Sequence, residues 1–400
     1  MPSVNPDILR WARETAGLSL EEAVEKLGIN AARGVEPVER LEMMEAGEVA
    51  PTRPMLVKMS KQYRRPLLSF YLSAPPRQGD RGQDFRTLPA AFAMSDNALV
   101  DAVVRDIRAR QSLVRATLEE EDEAETLPFI GTARTTEQPR VLARRIAETI
   151  EFDLGDYRRC RTIGDAVAYL RSQIEAAGIF VLFVDNLGSH HTEMPVDVFR
   201  GFALADDVAP FVAVNANDSK GAQSFTMIHE LAHLWLGLTG LSGRDGERDI
   251  EKFCNDVAGE FLLPALELQQ LDISEANGIT DAVQTIGEFA QARKISGTMV
   301  AYKLHRSGAF NFAFYQGIAG TFRQNFLSQR GRDREVAREA ESGPTYPVIR
   351  RHRAGPALVQ LVDRMLGAGA LTTTKAGKVL GVSAKNVQSV LQAGGPRLSA

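Results

Sequence analysis

The segment SFTMIHELAHLWLG (residues 224–237) contains the pattern H-E-x-x-H, formed by His229, Glu230 and His233. On a helix, His229 and His233 lie one turn apart on the same face, so both imidazoles can reach one tetrahedral zinc ion. Glu230 lies about 100° further round the helix, close enough to take a proton from water without being a ligand. Chance would produce this pattern about 0.01 times in a chain of this composition. The segment therefore predicts a zinc site in which Glu230 is the general base.

A catalytic zinc ion needs a third protein ligand, and the next helical segment, DIEKFCNDVAGEFLLP (residues 249–264), offers candidates. Glu251, Cys254, Asn255 and Ala258 share one helix face because they are spaced i, i+3, i+4 and i+7. Glu251 would complete a site with two histidines and one carboxylate. Cys254 is the alternative ligand, although a small buried cysteine more often serves packing.

These two segments together resemble the ImmA/IrrE family of zinc metallopeptidases. The family pairs H-E-x-x-H with a downstream Glu, an Asn four residues later, small residues and an ending of the Leu-Leu-x-Pro type. Here the matching positions are His229, Glu230, His233, Glu251, Asn255, Ala258 and Pro264. The preceding segment, FRGFALADDVAPFVAVNANDS (residues 199–219), resembles the family's edge strand and entry loop. With the N-terminal helices, the resemblance covers about residues 1–80 and 165–310 and implies a zincin-like endopeptidase that cleaves a repressor under DNA damage or other stress.

The first 70 residues predict a bundle of four short helices. The expected helices run from Pro6 towards Gly17, over Glu21–Leu27 with a capping box at Ser19 and Glu22 and an end at Gly28, over Val38–Glu45, and over Pro54–Tyr63. The segment resembles the lambda-repressor-like (XRE) helix-turn-helix family over about 65 residues.

The chemistry of this N-terminal segment differs from that of a strong DNA binder. The helix expected to enter the major groove carries Glu39, Glu42 and Glu45 beside Arg40, and residues 1–70 hold 10 basic and 10 acidic residues. Phosphate attraction supplies most non-specific DNA affinity, which a neutral domain lacks. DNA recognition through Arg40 and a role in dimerisation or docking both remain open.

Positive charge is concentrated at the C-terminal end. Residues 291–400 hold 17 basic and 5 acidic residues, whereas the whole chain has a net charge of −4. A basic end can face polyanions, so Arg350, Arg351 and Arg353 are candidate nucleic-acid-binding residues. A solvated basic surface that balances the acidic middle of the chain is the alternative.

The segment LTTTKAGKVLGVSAKNVQSVL (residues 371–391) lies within this basic region. It predicts a helix, a Gly-Val-Ser turn and a second helix, which is a helix-turn-helix in outline. Thr373 or Thr374 is the expected cap of the first helix, and Ser383 that of the second.

The remaining features of the chain bound its class. It has 400 residues, of which 44% are hydrophobic and 24% charged, as in a soluble protein with several domains. No apolar run approaches the roughly 18 residues that span a bilayer. The N-terminus lacks the pattern of a signal peptide, and two cysteines cannot form a disulfide framework, so we predict a cytoplasmic protein.

We predict a predominantly helical α+β fold in four parts. Strands are expected within residues 179–185, 196–204 and 209–217. The parts are an XRE-like helix-turn-helix bundle (residues 1–72), a linker and helical segment (73–160), a zincin-like metallopeptidase domain with a small sheet (161–310) and a basic helical C-terminal region (311–400).

The predicted function is that of a zinc-dependent endopeptidase that cleaves a partner repressor. A DNA-binding transcriptional regulator with a sensory or structural zinc domain is one alternative, and an antitoxin-like protein is another. Glu230 discriminates between them, because a structural zinc site needs no carboxylate between its histidines. The expected partners are a helix-turn-helix repressor as substrate, nucleic acid at the basic C-terminal region and a second copy of the chain, but no membrane.

The stabiliser of the negatively charged tetrahedral intermediate is left open by the sequence. Tyr315, His305 and the pair His190–His191 are candidates, and no spacing selects one of them.

Overall fold

The structure, a computed structural model, describes residues 4–32, 34–76, 94–187, 192–196, 198–239, 248–273, 275–339 and 343–393. The chain divides into two compact units, Met1–Asp106 and Ile107–Ala400. The four-part division predicted from the sequence stays a prediction.

The first unit is built from short helices around a small apolar core. Ser19 and Glu22 form the predicted capping box, and Gly28 ends that helix with a φ of 62°. The buried core includes Ile8, Leu41 and other apolar side chains. The elements are α1 (Pro6–Glu14), α2 (Leu20–Leu27), α3 (Pro37–Glu45), α4 (Arg53–Gln62) and a 3-10 turn at Leu67–Tyr71.

A buried ion pair joins two of these helices. Glu45 of α3 is 4% exposed and accepts hydrogen bonds of 2.8 and 2.9 Å from Arg13 of α1. Three acidic side chains were predicted to oppose DNA binding. Glu39 and Glu42 are exposed, whereas Glu45 is buried in this ion pair.

The second unit is mostly helical. The boundary between the two units lies within α5 (Met94–Glu120). The helices that follow are α6 (Pro139–Thr149), α7 (Leu154–Arg159), α8 (Ile163–Ala176), α9 (Lys220–Trp235), α10 (Arg248–Leu262), α11 (Ala265–Leu268), α12 (Gly278–Ala292), α13 (Gly297–Arg306), α14 (Phe312–Glu339), α15 (Tyr346–Ala354), α16 (Pro356–Gly367), α17 (Thr373–Leu380) and α18 (Val387–Gln392), with 3-10 turns at Glu275–Asn277 and Ala384–Asn386.

A three-stranded sheet lies in this unit, as the sequence predicts. Its strands are β1 (Phe180–Val184), β2 (Gly201–Leu204) and β3 (Phe211–Asn215), in the order β1-β3-β2. β1 pairs with β3 in parallel, and β2 pairs with β3 antiparallel. β2 therefore lies at one end of the described sheet. It is shorter than the segment predicted to form it, because the chain turns at Pro195, whose carbonyl accepts from the backbone N–H of Phe199.

Helix α9 is the centre of the second unit. It contacts α8, α10, β2 and β3, and Trp235 near its end is fully buried and stacks on Phe129 at 4.4 Å. The Tyr157 hydroxyl lies 2.9 Å from Ser224 Oγ of α9 and 2.8 Å from the carbonyl of Lys294. Burial on all sides holds α9 in a fixed position.

A buried arginine connects the C-terminal helices to this core. Arg171 of α8 donates to Glu175 at 2.9 Å and to the carbonyls of His352 at 2.5 Å and Arg353 at 3.3 Å. These two carbonyls belong to the last turn of α15, where the helix itself supplies no donors. Glu175 in turn accepts from the backbone N–H of Ala357 at 3.1 Å, in the first turn of α16.

One of the two helix caps predicted near the C-terminus is wrong. The N-cap of α17 is Thr372, whose side chain accepts from the N–H of Lys375 at 3.3 Å, and not Thr373 or Thr374. Ser383 is the N-cap residue of the 3-10 turn before α18, although its side chain makes no cap hydrogen bond to the described residues. In the described part of the chain, the helices are too short or too polar to cross a bilayer.

Candidate metal centre

His229 and His233 converge on Glu251. The Nε2 atoms of the two histidines lie 3.1 Å apart. Glu251 Oε2 lies 3.3 Å from His229 Nε2, and Glu251 Oε1 lies 3.2 Å from His233 Nε2. In the described part of the chain, these three side chains form the group that could hold a metal ion, with donor atoms within 4.8 Å of one another.

The helices place these donors where water has little access. His229 and His233 follow one another by one turn on α9 and are 8% and 6% exposed. Glu251 is in the first turn of α10, which packs along α9. The side chain of Glu251 is 20% exposed, so the site has an open side.

The donor set fits a zinc ion. Two imidazole nitrogens and one carboxylate are a common ligand set of zinc sites that keep an open position. Two nitrogen lone pairs as close as those of His229 and His233 repel unless a proton or a cation lies between them. The arrangement therefore suits a divalent cation better than it suits a pair of neutral core histidines.

The pKa of Glu251 also favours a cation site. Burial alone would raise it, but hydrogen bonds and charge interactions with His229 and His233 outweigh burial and hold the pKa well below its usual range. Glu251 is therefore an anion between the two rings.

Cys254, the alternative ligand, is not in this cluster of donor atoms. Its side chain is fully buried. Burial, with the nearby charges of Glu251 and Glu230, raises the pKa of the thiol far above its usual range. Its sulfur is not among the converging donor atoms, and its burial suits a packing role.

Glu230 lies on the adjacent side of α9. It is 3% exposed, and its Oε2 atom is buried without a hydrogen-bond partner in the part of the chain that the structure describes. Burial raises the pKa of Glu230 to about 8, the negative charge of Glu251 adds to this effect, and His233 opposes it. A carboxyl with this pKa can both take and give a proton near neutral pH.

Gly201, the first residue of β2, lies against Glu230. A Cβ atom at this position would overlap Thr226 Cγ2 and would come within 3.0 Å of both Glu230 Oε1 and the carbonyl of Ala213. A strand can approach the carboxyl this closely only without a side chain. The sequence did not single out Gly201, because its contact with Glu230 depends on how β2 packs on α9.

A cavity of about 660 Å³ begins one helical turn from the converging side chains. Phe225 of α9 and Asn255 of α10 line it, one turn from His229 and Glu251 respectively. Tyr302 and Lys303 of α13 line its other side, and Lys303 donates to Glu260 at 2.6 Å. The cavity combines apolar walls with paired charges.

The candidate stabilisers of the tetrahedral intermediate do not join the histidine cluster. His305 Nδ1 lies 3.0 Å from the carbonyl of Phe310, and its ring stacks on Tyr315 at 5.5 Å. Burial raises the pKa of Tyr315. In the described ranges, the contacts of these two side chains are therefore with α13, α14 and the loop between them and not with the three converging side chains. His190 and His191 lie outside the described residues.

The four arginines predicted to bind nucleic acid make contacts within their own units. Arg40 donates to the carbonyl of Asn30. Arg350 lies over the ring of Tyr346 at 5.2 Å. Arg351 donates to the carbonyls of α18, and Arg353 pairs with Asp185. Their contacts with nucleic acid stay a prediction.

Residues 175–305 match the family model described as the IrrE N-terminal-like domain, Peptidase M78. A comparison with curated proteins gave no match, and neither did a comparison with solved structures. The matched segment contains the sheet, α9 and α10, and therefore all three converging side chains. The match supports the predicted resemblance to the ImmA/IrrE family over this segment and indicates a peptidase domain. The XRE resemblance of the N-terminal helices stays a prediction.

Proposed function

We propose that the chain is a zinc-dependent endopeptidase, with His229, His233 and Glu251 as zinc ligands and Glu230 as the general base. The position of Glu230 carries the proposal. Its carboxyl is buried beside the histidine cluster, keeps one oxygen without a partner and has a raised pKa. A zinc site that only stabilises the fold has no use for such a group.

The residues of the site have separate tasks in this mechanism. When bound, zinc supplies Lewis-acid polarisation and a positive charge that favours the ionised form of Glu230. Glu230 takes a proton from the attacking water and later gives it to the leaving amine. Burial of His229 and His233 keeps their rings in place and excludes bulk water.

The surroundings of the site leave room for a polypeptide segment. Phe202, Ala203 and Leu204 of β2 are buried, and Gln111 donates to the carbonyl of Leu204 at 3.0 Å, so a substrate would reach this strand at Gly201, which is partly exposed. Gly201 brings this strand next to Glu230. The cavity beside Phe225 and Asn255 would receive a side chain of the bound segment.

The proposed substrate is a transcriptional repressor of the helix-turn-helix class, cleaved in a stress or DNA-damage response. This rests on the resemblance to the ImmA/IrrE family over residues 175–305. The second candidate function, a DNA-binding regulator or antitoxin-like protein with a structural zinc domain, differs in needing no proton transfer by Glu230.

A comparison of variants tests the proposal. Full-length wild type should hold about one zinc ion per chain by elemental analysis, and His229→Ala should lose most of it. Glu230→Gln should keep the zinc but lose about 10²- to 10⁴-fold in the rate of cleavage, because the base is lost while the ligands remain. Cleavage is read by intact-mass spectrometry after co-expression with the repressor encoded beside the gene.

Glu288→Gln is the matched control. Glu288 is an exposed carboxylate of α12 that contacts Gln284, so this variant should keep both zinc and cleavage. If Glu230→Gln cleaves the repressor at the wild-type rate, the peptidase mechanism is wrong even where zinc is bound.

A further inference from the structure

Three arginines of the basic C-terminal helices hold the fold together. Arg351 of α15 donates to the carbonyls of Val390 and Leu391 at 3.3 and 2.7 Å, in the last turn of α18. Arg353 pairs with Asp185, and Arg364 pairs with Glu123. These charges are neutralised or used as backbone donors, so they contribute less to a free positive surface than the charge count suggests.

Helices α17 and α18 pack together as two helices joined by a short turn. Gly381 ends α17 with a φ of 68°, a left-handed conformation that favours glycine. At Gly377, a Cβ atom would lie 2.9 Å from the carbonyl of Val382 and 3.1 Å from the N–H nitrogen of Ala384. The turn therefore packs directly on α17, in a way that a larger side chain would prevent.

Most apolar side chains of this pair are buried. α17 packs against α16, and α18 packs against α15. The buried residues are Ala376, Val379 and Leu380 of α17 and Val387 and Val390 of α18. A helix-turn-helix unit consists of two short helices that are joined by a turn containing glycine and pack against a further helix. α17 and α18 have this arrangement.

The outer face of the pair is polar and basic. Residues 371–393 contain three lysines and no acidic residue. Lys375, Lys378 and Lys385 are exposed, and none forms an ion pair with the residues that the structure describes. Ala384 and Lys385 of the 3-10 turn and Gln388 and Ser389 of α18 form one exposed stripe, at spacings of one, four and five residues from Ala384.

We propose that α17 and α18 form a DNA-binding helix-turn-helix, with α18 and the 3-10 turn before it as the recognition element in the major groove. The free lysines supply attraction to phosphates, which the paired arginines of the same region cannot. Gln388 and Ser389 are exposed on the stripe that would face base edges, and both side chains can donate and accept hydrogen bonds. This proposal does not depend on the peptidase function.

The three lysines and the two polar residues have different tasks. Lysines that contact phosphates position the unit without reading sequence, whereas contacts to base edges specify sequence. Loss of the lysines should therefore weaken binding to every duplex and reduce its salt dependence. Loss of Gln388 should instead reduce the preference for the best sequence over others.

The test is fluorescence anisotropy with the full-length protein and a labelled random-sequence duplex of about 30 base pairs, roughly three helical turns. One variant changes Lys375, Lys378 and Lys385 to Gln. If each lysine contacts one phosphate, the log–log salt slope should fall in magnitude by about 2.7. Affinity at low salt should fall at least tenfold.

The matched control removes three positive charges elsewhere in the same unit. Arg134, Arg144 and Arg332 are exposed and lie outside α17 and α18, and their change to Gln should leave the salt slope unchanged. Circular dichroism of both variants checks that they fold. A lysine variant that fails to fold is replaced by Lys385→Gln alone, for which a slope change of about 0.9 is expected.

Four results would overturn the proposal. They are no binding of duplex DNA by the wild type at low salt, equal affinity of the lysine variant and wild type, an equal loss in the arginine control, and tighter binding of double-stranded RNA of the same sequence. The second result would place DNA binding elsewhere, as in the N-terminal helices. The last would indicate shape recognition of A-form RNA, whose deep major groove excludes a helix.

Discussion

Removal of the Arg171 side chain should loosen the C-terminal helices α15–α18 from the core of the second unit. Arg171 and Glu175 side chains are 5% and 4% exposed, so the pair is buried. Arg171→Ala leaves Glu175 as a buried charge without its partner, a change that costs about 3–5 kcal/mol. The carbonyls of His352 and Arg353 also lose their donor. The equilibrium constant for local unfolding should rise roughly 10²- to 10⁴-fold.

Hydrogen exchange followed by mass spectrometry locates the effect. Peptides from residues 346–393 should lose protection in Arg171→Ala, because Arg171 and Glu175 contact α15 and the start of α16. Peptides from α9 should keep most of theirs, since the buried contacts of α9 with β2, β3 and α10 remain.

Arg115→Ala is the matched control. Arg115 has a similar number of partners, since it pairs with Glu119, Asp206 and Asp207 at 2.7–2.8 Å, but its side chain is 36% exposed. Exposed pairs contribute about 0–1 kcal/mol each, so the effect should be much smaller.

A double variant isolates the buried charge as the cause. In Arg171→Met with Glu175→Leu, no unpaired charge remains, so the loss of stability should be smaller than in Arg171→Ala alone. Equal protection of residues 346–393 in Arg171→Ala and wild type would refute the reasoning. So would a double variant that is less stable than the single one.

Two further predictions concern the site and its support. Gly201→Ala should lower the free energy of unfolding by about 1–3 kcal/mol through overpacking. It should also lower the rate of the proposed cleavage, because the added methyl group displaces Glu230. An unchanged free energy of unfolding in urea would contradict this prediction. Burial raises the pKa of Glu267, but hydrogen bonds from Arg158 and Arg293 outweigh burial and lower the pKa. The carboxylate therefore stabilises the fold at pH values above its ordinary pKa of 4.5. This contribution is lost as the pH falls through the lowered pKa. Glu267→Gln should therefore be less stable than wild type at neutral pH and equally stable in strong acid, as thermal unfolding across pH would measure; a constant difference would exclude this linkage.

Features that depend on residues close together in the sequence could be predicted from it. The capping box of Ser19 and Glu22 spans a single turn. His229 and His233 share a face of α9 because of helix geometry alone, and their convergence with Glu251 required one further helix packed alongside. The small sheet was predictable because its strands are short apolar runs between turn residues.

Other features depend on contacts between residues far apart in the sequence, which no local pattern indicates. Gly201 and Glu230 meet only because β2 packs on α9. Arg171 and His352 are 181 residues apart, and nothing near Arg171 in the sequence marks it as a buried donor. The cap of α17 was misassigned because Thr372 and the two threonines after it are equally good caps. The choice between them depends on where the chain leaves α16.

Arginine and lysine differ in chemistry, and this difference explains why a count of charges is a poor guide to nucleic-acid binding by the C-terminal region. An arginine offers five donors in a fixed planar fork, which suits the carbonyls at a helix end, and Arg171 and Arg351 both serve α15 or α18 in this way. A lysine carries a compact charge on a flexible stem and remains strongly hydrated. Reversing Arg351 or Arg353 would therefore disturb the packing of α15 and α18 as well as any contact with nucleic acid. Lys375, Lys378 and Lys385, which form no ion pair with the described residues, can be changed without removing a structural contact, so they separate attraction to phosphates from the stability of the fold.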